Sequence, residues 1–253
     1  MLTKFSMKPV SYWTRALSVP FVLMLIALIS INAVPRSVHK LNADKPINVV
    51  IDAGHGGIDA GCNFGGVREK DIVLELSKKV KEMAPQYNIN VILTRDKDEL
   101  PGNPASIPES LRARMQIAEE SKADVFISLH INATGKATDS SGFDIYVSKN
   151  DEINAQSKVL GNYMVASLKN VVNIKEQLQQ RNKHGIWVLD KAKWPVILIE
   201  CGYITNANDR NFITQSQNQE TVAKAILNGV IEYENASHGS AALEISTQPH
   251  EPK

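Results

Sequence analysis

Short apolar runs alternate with amphipathic segments along most of this chain, and that alternation limits its fold more than any other feature. Apolar runs of strand length begin near residues 48, 89, 125 and 194. Between them apolar residues recur at helical spacing, as in REKDIVLELSKKVKEM, which predicts helices. Strands that alternate with helices favour βαβ units and a mostly parallel sheet with helices on both faces. The pattern therefore predicts one α/β domain.

This domain is expected to span residues 47–234. Residues 36–46 are polar and predict a linker ahead of it, and residues 235–253 predict a polar, disordered tail. The 253 residues are enough for one substantial hydrophobic core. A formal net charge of +1 argues against a nucleic-acid binder, because neutralising phosphates requires an excess of basic residues.

The amino terminus has the pattern of an export signal. Lys4, Lys8 and Arg15 precede an uncharged run over residues 16–35. Residues 1–35 therefore fit either a cleaved signal peptide or an uncleaved membrane anchor. The densest apolar part, FVLMLIALI, is short, which favours the signal. In either case the domain is expected outside the cytoplasm, in the cell envelope or exported, and residues 16–35 are a candidate membrane contact.

The cysteine content indicates little beyond packing. Cys62 and Cys201 are the two cysteines of the chain, too few for a disulfide scaffold. A single bridge between them stays open, because only their distance in space decides it. Two small apolar side chains inside the domain are the favoured interpretation.

Polar residues that do not belong in a core end three of the strand-like runs. NVVIDAGH ends at His55, VFISLH at His130 and PVILIE at Glu200. In an open α/β sheet, ligands bind outside the carboxyl ends of the strands. If the three strands are parallel, these side chains meet at one edge. Glu69 joins them, because it follows a glycine-rich turn and starts the next helical segment.

This set of residues suits a metal site with hydrolytic chemistry. Two imidazoles and one carboxylate, from His55, His130 and Glu69, make a three-ligand site for one Zn²⁺ with a fourth position left for water. Zinc lowers the pKa of water and yields a nucleophile near neutral pH. Glu200 is the candidate general base, since the apolar strand before it is expected to raise its pKa. Each residue alone fits an ordinary structural role, so the prediction of metal-assisted hydrolysis depends on the set.

Other catalytic motifs are missing from the sequence. The glycine-rich turn lacks the GK[ST] ending of a P-loop and the register of GxGxxG. HExxH does not occur, which argues against a zincin peptidase. No serine lies in GxSxG, which argues against an α/β-hydrolase.

Six successive segments resemble the motifs of the zinc-dependent N-acetylmuramoyl-L-alanine amidases, a family of bacterial cell-wall enzymes. They are VVIDAGHGGIDAG, VREKDIVLELSKKV, LTRDKD, LRARMQIA, ADVFISLHINA and PVILIECGYITNANDRNFI, and the similarity covers residues 47–234. The resemblance implies a three-layer α/β/α fold with a central, mostly parallel sheet of about six strands. It also implies one catalytic zinc ion. By motif matching the metal ligands are His55, Glu69 and His130, and Glu200 takes the position of the catalytic carboxylate.

The resemblance further implies an activity. The family hydrolyses the amide between the lactyl group of N-acetylmuramic acid and L-alanine in peptidoglycan. Two alternatives stay open: a non-catalytic peptidoglycan-binding or regulatory protein that keeps the fold, and a zinc endopeptidase acting on stem peptides. The four filled positions favour the amidase. The sequence identifies no protein activator.

Several further residues within the predicted domain have two candidate roles. Asp52 is a candidate to orient, through a hydrogen bond, the loop that follows it and carries His55 (the ligand loop). Arg95 and Arg114 are expected to form structural salt bridges. Asn132 either positions the substrate carbonyl or caps a turn. Trp187 either lines a sugar-binding groove or packs within the domain.

Overall fold

The computed structural model describes residues 45–136, 139–149, 151–181 and 185–246. For residues 151, 152 and 238–246 only the backbone is described. The predicted signal peptide or anchor lies outside the described residues, as do residues 36–44 of the predicted linker and residues 247–253 of the predicted tail.

The described residues form a central sheet and a small ribbon. The strands are β1 (Ile47–Ala53), β2 (Asn63–Phe64), β3 (Val67–Arg68), β4 (Ile89–Leu93), β5 (Val125–Asn132), β6 (Asp144–Val147) and β7 (Val196–Tyr203). The central sheet has the order β4-β1-β5-β7-β6. Its first four strands are parallel and β6 runs antiparallel to β7, while β2 and β3 pair as a separate antiparallel ribbon. The prediction of a mostly parallel sheet is confirmed.

Among the described residues the central sheet has five regular strands, where the resemblance implied about six. An irregular segment, residues 173–180, lies beside β6 in the sixth position. Two parallel bridges join this edge segment to the β6 region, Phe143 with Ile174 and Tyr146 with Gln179. The backbone N–H of Gln179 donates to the carbonyl of Ile145 at 2.8 Å. Because the edge segment pairs on one side and is mostly polar, its sequence does not show the pattern of a buried strand.

Helices cover both faces of the sheet. They are α1 (Glu69–Met83), followed by a 3₁₀ turn (Ala84–Tyr87), α2 (Ile107–Glu120), α3 (Asp151–Leu168), α4 (Trp187–Lys191), α5 (Ala207–Ile213) and α6 (Ser216–Ser246). In the described part of the chain, none of these helices combines the length and apolar character needed to cross a bilayer.

The last helix ends later than predicted. The sequence predicted a disordered tail from Asn235, whereas α6 continues to Ser246. The added stretch, NASHGSAALEIS, contains several alanines, a leucine and a glutamate, which have high helix propensity. Residues 235–246 are therefore helical where disorder was expected, while the catalytic-domain boundary at residue 234 stays a prediction.

The sheet separates two hydrophobic clusters. Helices α1, α3 and α6 contribute to the larger cluster on one face, and α2 and α4 contribute to the smaller one on the other. Along β1, Val49 and Ile51 enter the larger cluster and Val50 enters the smaller one, as the alternating side chains of a strand require. The predicted three-layer α/β/α fold is confirmed.

Candidate metal and active site

Three potential metal ligands meet at the carboxyl edge of the sheet. His55 follows β1, His130 lies near the end of β5, and Glu69 is the first residue of α1. One ligand atom from each lies within 4.8 Å of the others. The two imidazole rings are nearly perpendicular, with centroids 4.8 Å apart. This cluster could hold a metal ion.

The carboxylate of Glu69 lies at the centre of the cluster. Its Oε1 lies 3.2 Å from His55 Nε2 and 3.1 Å from His130 Nδ1, and it accepts the backbone N–H of Ile131 at 2.9 Å. Its Oε2 accepts the backbone N–H of Cys62 at 2.9 Å. Burial would raise the pKa of Glu69, but the hydrogen bonds from the two histidines outweigh burial and hold this pKa well below its usual value. The group is therefore ionised, as a metal ligand must be.

Asp59 orients the first imidazole. His55 Nδ1 lies 2.9 Å from Asp59 Oδ2, so the other ring nitrogen is the one that faces Glu69. Burial would lower the pKa of His55, but the contacts with Glu69 and Asp59 raise it. A carboxylate on the second nitrogen is the usual support of a histidine ligand. The sequence analysis missed Asp59, although an acid four residues after a candidate ligand, within the same turn, was a usable signal.

Buried cations hold the backbone of the ligand loop. Arg95 Nε donates to the carbonyl of Ala53 at 2.9 Å, and its Nη2 donates to that of Gly54 at 2.8 Å. Lys70 Nζ donates to the carbonyl of Gly57 at 2.7 Å. Arg95 thus binds carbonyls, whereas a structural salt bridge was expected. Its role is structural because it fixes the path of the chain around His55.

Arg114 links the same loop to a buried carboxylate. It pairs with Asp52 inside the domain, and its Nη2 donates to the carbonyl of His55 at 2.8 Å. Asp52 also accepts hydrogen bonds from Thr94 Oγ1 and Ser128 Oγ, both at 2.7 Å. Burial would raise the pKa of Asp52, but Arg114 and these hydroxyls lower it. The predicted salt bridge of Arg114 is confirmed, and Asp52 orients the loop through that arginine.

Two glycines allow the ligands to approach closely. A Cβ atom on Gly54 would lie 2.5 Å from the imidazole of His130, and one on Gly61 would lie 2.6 Å from Glu69 Oε2. Both distances are shorter than van der Waals contact. His55 itself has a positive φ of 62°, an uncommon conformation for a residue with a side chain. The glycines therefore leave the space that the side chains of His130 and Glu69 need in order to approach the turn.

Glu200 lies beside the cluster on the neighbouring strand. It pairs in register with His130 across β5 and β7, and only 6% of its surface is exposed. Its Oε2 is buried and has no hydrogen-bond partner among the described residues. Burial is the main cause that raises the pKa of Glu200 to about 6; Glu69 and Asp144 raise it further, while His130 and Arg181 oppose the rise. A buried, unpaired carboxyl of this kind is typical of a functional site.

A cleft of about 480 Å³ opens over these four side chains. Asn132 lines it, and the side-chain oxygen of Asn132 accepts the backbone N–H of Ala133 at 2.8 Å. Ile107 of α2 and Trp187 of α4 form part of an apolar wall. Arg181, the residue that directly follows the edge segment, also lines the cleft. The sequence analysis did not single out Arg181, because the surrounding polar residues gave it no distinguishing pattern.

Both cysteines are free thiols. Cys201 is buried and Cys62 is half-buried against the larger hydrophobic cluster. Burial raises the pKa of each thiol. The alternative of a disulfide bridge between them is therefore wrong, and both pack as small side chains.

Comparisons with known proteins identify the family. The family model described as N-acetylmuramoyl-L-alanine amidase matches residues 49–232. The germination-specific N-acetylmuramoyl-L-alanine amidase of Bacillus subtilis (strain 168) is 28% identical over 191 residues, which cover 73% of this chain and 78% of that protein. The endolysin of Bacillus phage SPP1 is 34% identical over 205 residues, which cover 76% of this chain and 69% of that endolysin.

A solved structure supports the same assignment. The catalytic domain of CwlV, an N-acetylmuramoyl-L-alanine amidase from Bacillus (Paenibacillus) polymyxa var. colistinus, superposes with a TM-score of 0.62 and 29% sequence identity. The match covers 75% of this chain and 98% of that domain. Because the family model spans most of the chain and the fold agrees, this chain belongs to the N-acetylmuramoyl-L-alanine amidases and is an enzyme that acts on peptidoglycan.

Proposed function

We propose that this amidase hydrolyses the bond between N-acetylmuramic acid and L-alanine with one zinc ion, held by His55, Glu69 and His130, and with Glu200 as general base. The observation that carries the proposal is the convergence of three ligand atoms within 4.8 Å in the same cleft as the unpaired carboxyl of Glu200. No single strand or helix supplies this set, so the fold brings it together.

The donor atoms fit zinc better than a hard cation. Two imidazole nitrogens and one carboxylate oxygen are the donor set of many catalytic zinc sites, whereas magnesium and calcium prefer oxygen ligands. Glu69 is held ionised, and Asp59 supports the imidazole of His55. When bound, zinc supplies a Lewis acid that lowers the pKa of water and polarises the substrate carbonyl.

Glu200 supplies the proton transfers that amide hydrolysis needs. Its carboxylate accepts a proton from the attacking water and delivers it to the departing amino group of alanine. A pKa of about 6 suits both transfers, because the carboxylate is the main form at neutral pH and its conjugate acid is a stronger donor than bulk water.

The cleft positions the substrate around this chemistry. The apolar wall at Ile107 and Trp187 offers contact area for a sugar face. The side-chain NH₂ of Asn132, whose oxygen is already engaged with Ala133, is a donor for the substrate carbonyl.

Residues 1–35 complete the proposal, because peptidoglycan lies outside the cytoplasm. Their basic start and apolar run direct the chain to the cell envelope, either as a cleaved signal or as an anchor in contact with the membrane. Amino-terminal sequencing of the chain recovered from the envelope would decide between the two: a start after residue 33 indicates cleavage.

Digestion of purified sacculi by the full chain tests the activity. Mass spectrometry should detect intact stem peptides that begin with alanine. Cut crossbridges would indicate an endopeptidase, and an absence of products would indicate a binding protein. Metal analysis should give one zinc per chain, and a chelator should abolish product release until zinc is restored. Zinc content that persists after His55→Ala and His130→Ala substitutions would contradict the ligand assignment.

A further inference from the structure

We propose that Arg181 binds a carboxylate of the stem peptide, namely the α-carboxylate of the residue that follows L-alanine, and so defines the peptide side of the cleft. The proposal depends on the amidase function proposed above. It assigns a substrate contact to a residue outside the four side chains of the metal and base.

Charge pairing within the cleft distinguishes Arg181. Of the two arginines that line it, Arg114 is buried and paired with Asp52. Arg181 is exposed and has no hydrogen bond or ion pair to any other described residue. Its charge acts on Glu200, opposing the rise of that group's pKa, but the two groups are not paired. Arg181 is therefore the cation that the described part of the cleft leaves for an external anion.

The Arg181 guanidinium is held in place before any substrate arrives. The backbone of Val147 donates to the carbonyl of Gln179 at 3.0 Å, and Gln180 Nε2 donates to the carbonyl of Ser148 at 3.0 Å. These bonds fix the edge segment up to the residue before Arg181. The Arg181 guanidinium then lies 5.7 Å from the centroid of the Tyr146 ring, within the range of a cation–π contact.

The substrate differs in charge on the two sides of the scissile bond. On the sugar side there is no charge, because the lactyl carboxyl of muramic acid is consumed in the amide itself. On the peptide side the residue after L-alanine is a D-glutamate linked through its γ-carboxyl, which leaves its α-carboxyl free. Arginine binds carboxylates in a planar, two-bonded geometry. An arginine that is unpaired among the described residues of the cleft thus matches the peptide side of the scissile bond and not the sugar side.

A pair of soluble fragments that differ in one group tests this contact. Both are disaccharide tripeptides with an amidated carboxyl terminus, and the α-carboxyl of the second residue is either free or converted to a carboxamide. Binding is measured by titration calorimetry on the full chain carrying Glu200→Gln, which is expected to slow turnover of the fragments by at least about a hundredfold. The free acid should bind about tenfold more tightly than the carboxamide, the scale of one charge-assisted hydrogen-bond pair. This preference should shrink at high salt.

Arg181→Gln in the same background should remove the preference by weakening only the free acid. The matched control is Arg112→Gln, which removes an exposed arginine of α2 that does not line the cleft and should leave the preference intact. An Arg181→Gln chain that keeps the preference would overturn the proposal, as would equal binding of the two fragments by the parent.

Turnover separates this contact from the proposed function. With Glu200 restored, Arg181→Gln should lower kcat/KM about tenfold for the free acid and leave it unchanged for the carboxamide. If neither fragment is cleaved between muramic acid and alanine, the proposed function fails. The binding preference still decides the role of Arg181 in that case, because calorimetry does not require cleavage.

Discussion

The two faces of the central sheet are built for different purposes. The face under α1, α3 and α6 is apolar along the full length of its strands, ending at Ala53 and Ile131. The face under α2 and α4 begins with apolar residues such as Val50 and Phe126, but continues into Asp52 and Ser128 at the carboxyl ends. The face under α1, α3 and α6 therefore contributes mainly to stability. On the face under α2 and α4, polar residues of the site replace apolar core residues at the carboxyl ends of the strands.

This difference separates neighbouring residues of a single strand. Ile199 and Glu200 are adjacent in β7, yet Ile199 enters the larger cluster while Glu200 faces the cleft. Burying an ionisable group without a partner is unfavourable, so the site face is retained at a cost in stability. Substitutions of the unpaired Glu200 and of the apolar Ile199 should consequently have opposite effects: the first should lower activity and the second should lower stability.

The largest effect is expected for Glu200→Gln. Loss of the general base should lower kcat by about 10²- to 10⁴-fold, while the thermal unfolding midpoint stays the same or rises. Product release from sacculi and differential scanning calorimetry measure the two quantities. Glu82→Gln, at an exposed position near the end of α1, is the control and should change neither. Near-normal turnover by Glu200→Gln would remove it from the mechanism.

The next effect is expected for Arg114→Met, which breaks the buried pair on the site face. Removal of one partner leaves the charge of Asp52 uncompensated and should lower the free energy of unfolding by about 3–5 kcal/mol. Urea denaturation measures this loss. Adding Asp52→Asn should recover part of it, because the uncompensated charge is then gone. A loss below about 1 kcal/mol would mean that the pair does not support the loop.

Ile199→Ala tests the opposite face. Removing a fully buried side chain should lower the free energy of unfolding by about 2–5 kcal/mol. At a temperature where the variant remains folded, kcat should match that of the parent. A large fall in kcat under those conditions would show that the two faces are coupled more tightly than their separate clusters suggest.

Asp59→Asn should weaken zinc binding without unfolding the chain. Loss of the carboxylate that supports the His55 imidazole is expected to raise the zinc Kd by about 10- to 100-fold. Competition with a chromophoric chelator measures the Kd directly. Asp96→Asn, an exposed substitution outside the cluster, is the control. An unchanged Kd would show that Asp59 does not position the ligand.

The smallest effect is a pH dependence of stability in the metal-free chain. The pKa of Glu200 is raised to about 6 from its usual 4.5, so the folded state holds this proton more tightly than the unfolded state. Relative to Glu200→Gln, the parent should therefore lose stability as pH rises from 4.5 to 6. The difference should reach about 2 kcal/mol at pH 7. Urea denaturation of both chains across this range checks it, and a constant difference would contradict it.

The sequence predicted most of the fold because strands buried on both faces are continuous apolar runs. VFISLHI and PVILIE could be recognised in this way, and their polar ends pointed to His130 and Glu200. The edge segment could not, since pairing on one side places no demand for an apolar pattern on its residues. The end of α6 was missed for a different reason: its small and polar residues permit a helix without requiring one.

The supports of the site were harder to predict than the candidate ligands. Asp59 contacts His55 from four residues along the same turn, a spacing that could have indicated it, whereas Arg181 lines the cleft from a polar segment with no distinguishing pattern. Arg95 and Arg114 occur in recognisable segments, and a salt bridge was expected for both. Arg114 forms one with Asp52, whereas Arg95 donates hydrogen bonds to backbone carbonyls. Candidate metal ligands can be predicted because metal chemistry limits them to a few residue types. The residues that support those ligands depend on which chain segments the fold brings together, which the sequence pattern does not show.

The antiparallel direction of β6 has a consequence for how the cleft could be covered. Since β6 reverses, its first residue Asp144 aligns with Glu200, and the last residue of β5, Asn132, aligns with Tyr203. Both ends of the intervening connection therefore lie at the carboxyl edge of the sheet, and Asn132 at its start lines the cleft. Doubling a connection adds only about 0.6 kcal/mol of closure entropy. A longer connection could therefore be inserted here, beside the cleft, while the sheet below keeps its register, which makes this the position at which to graft a removable cover.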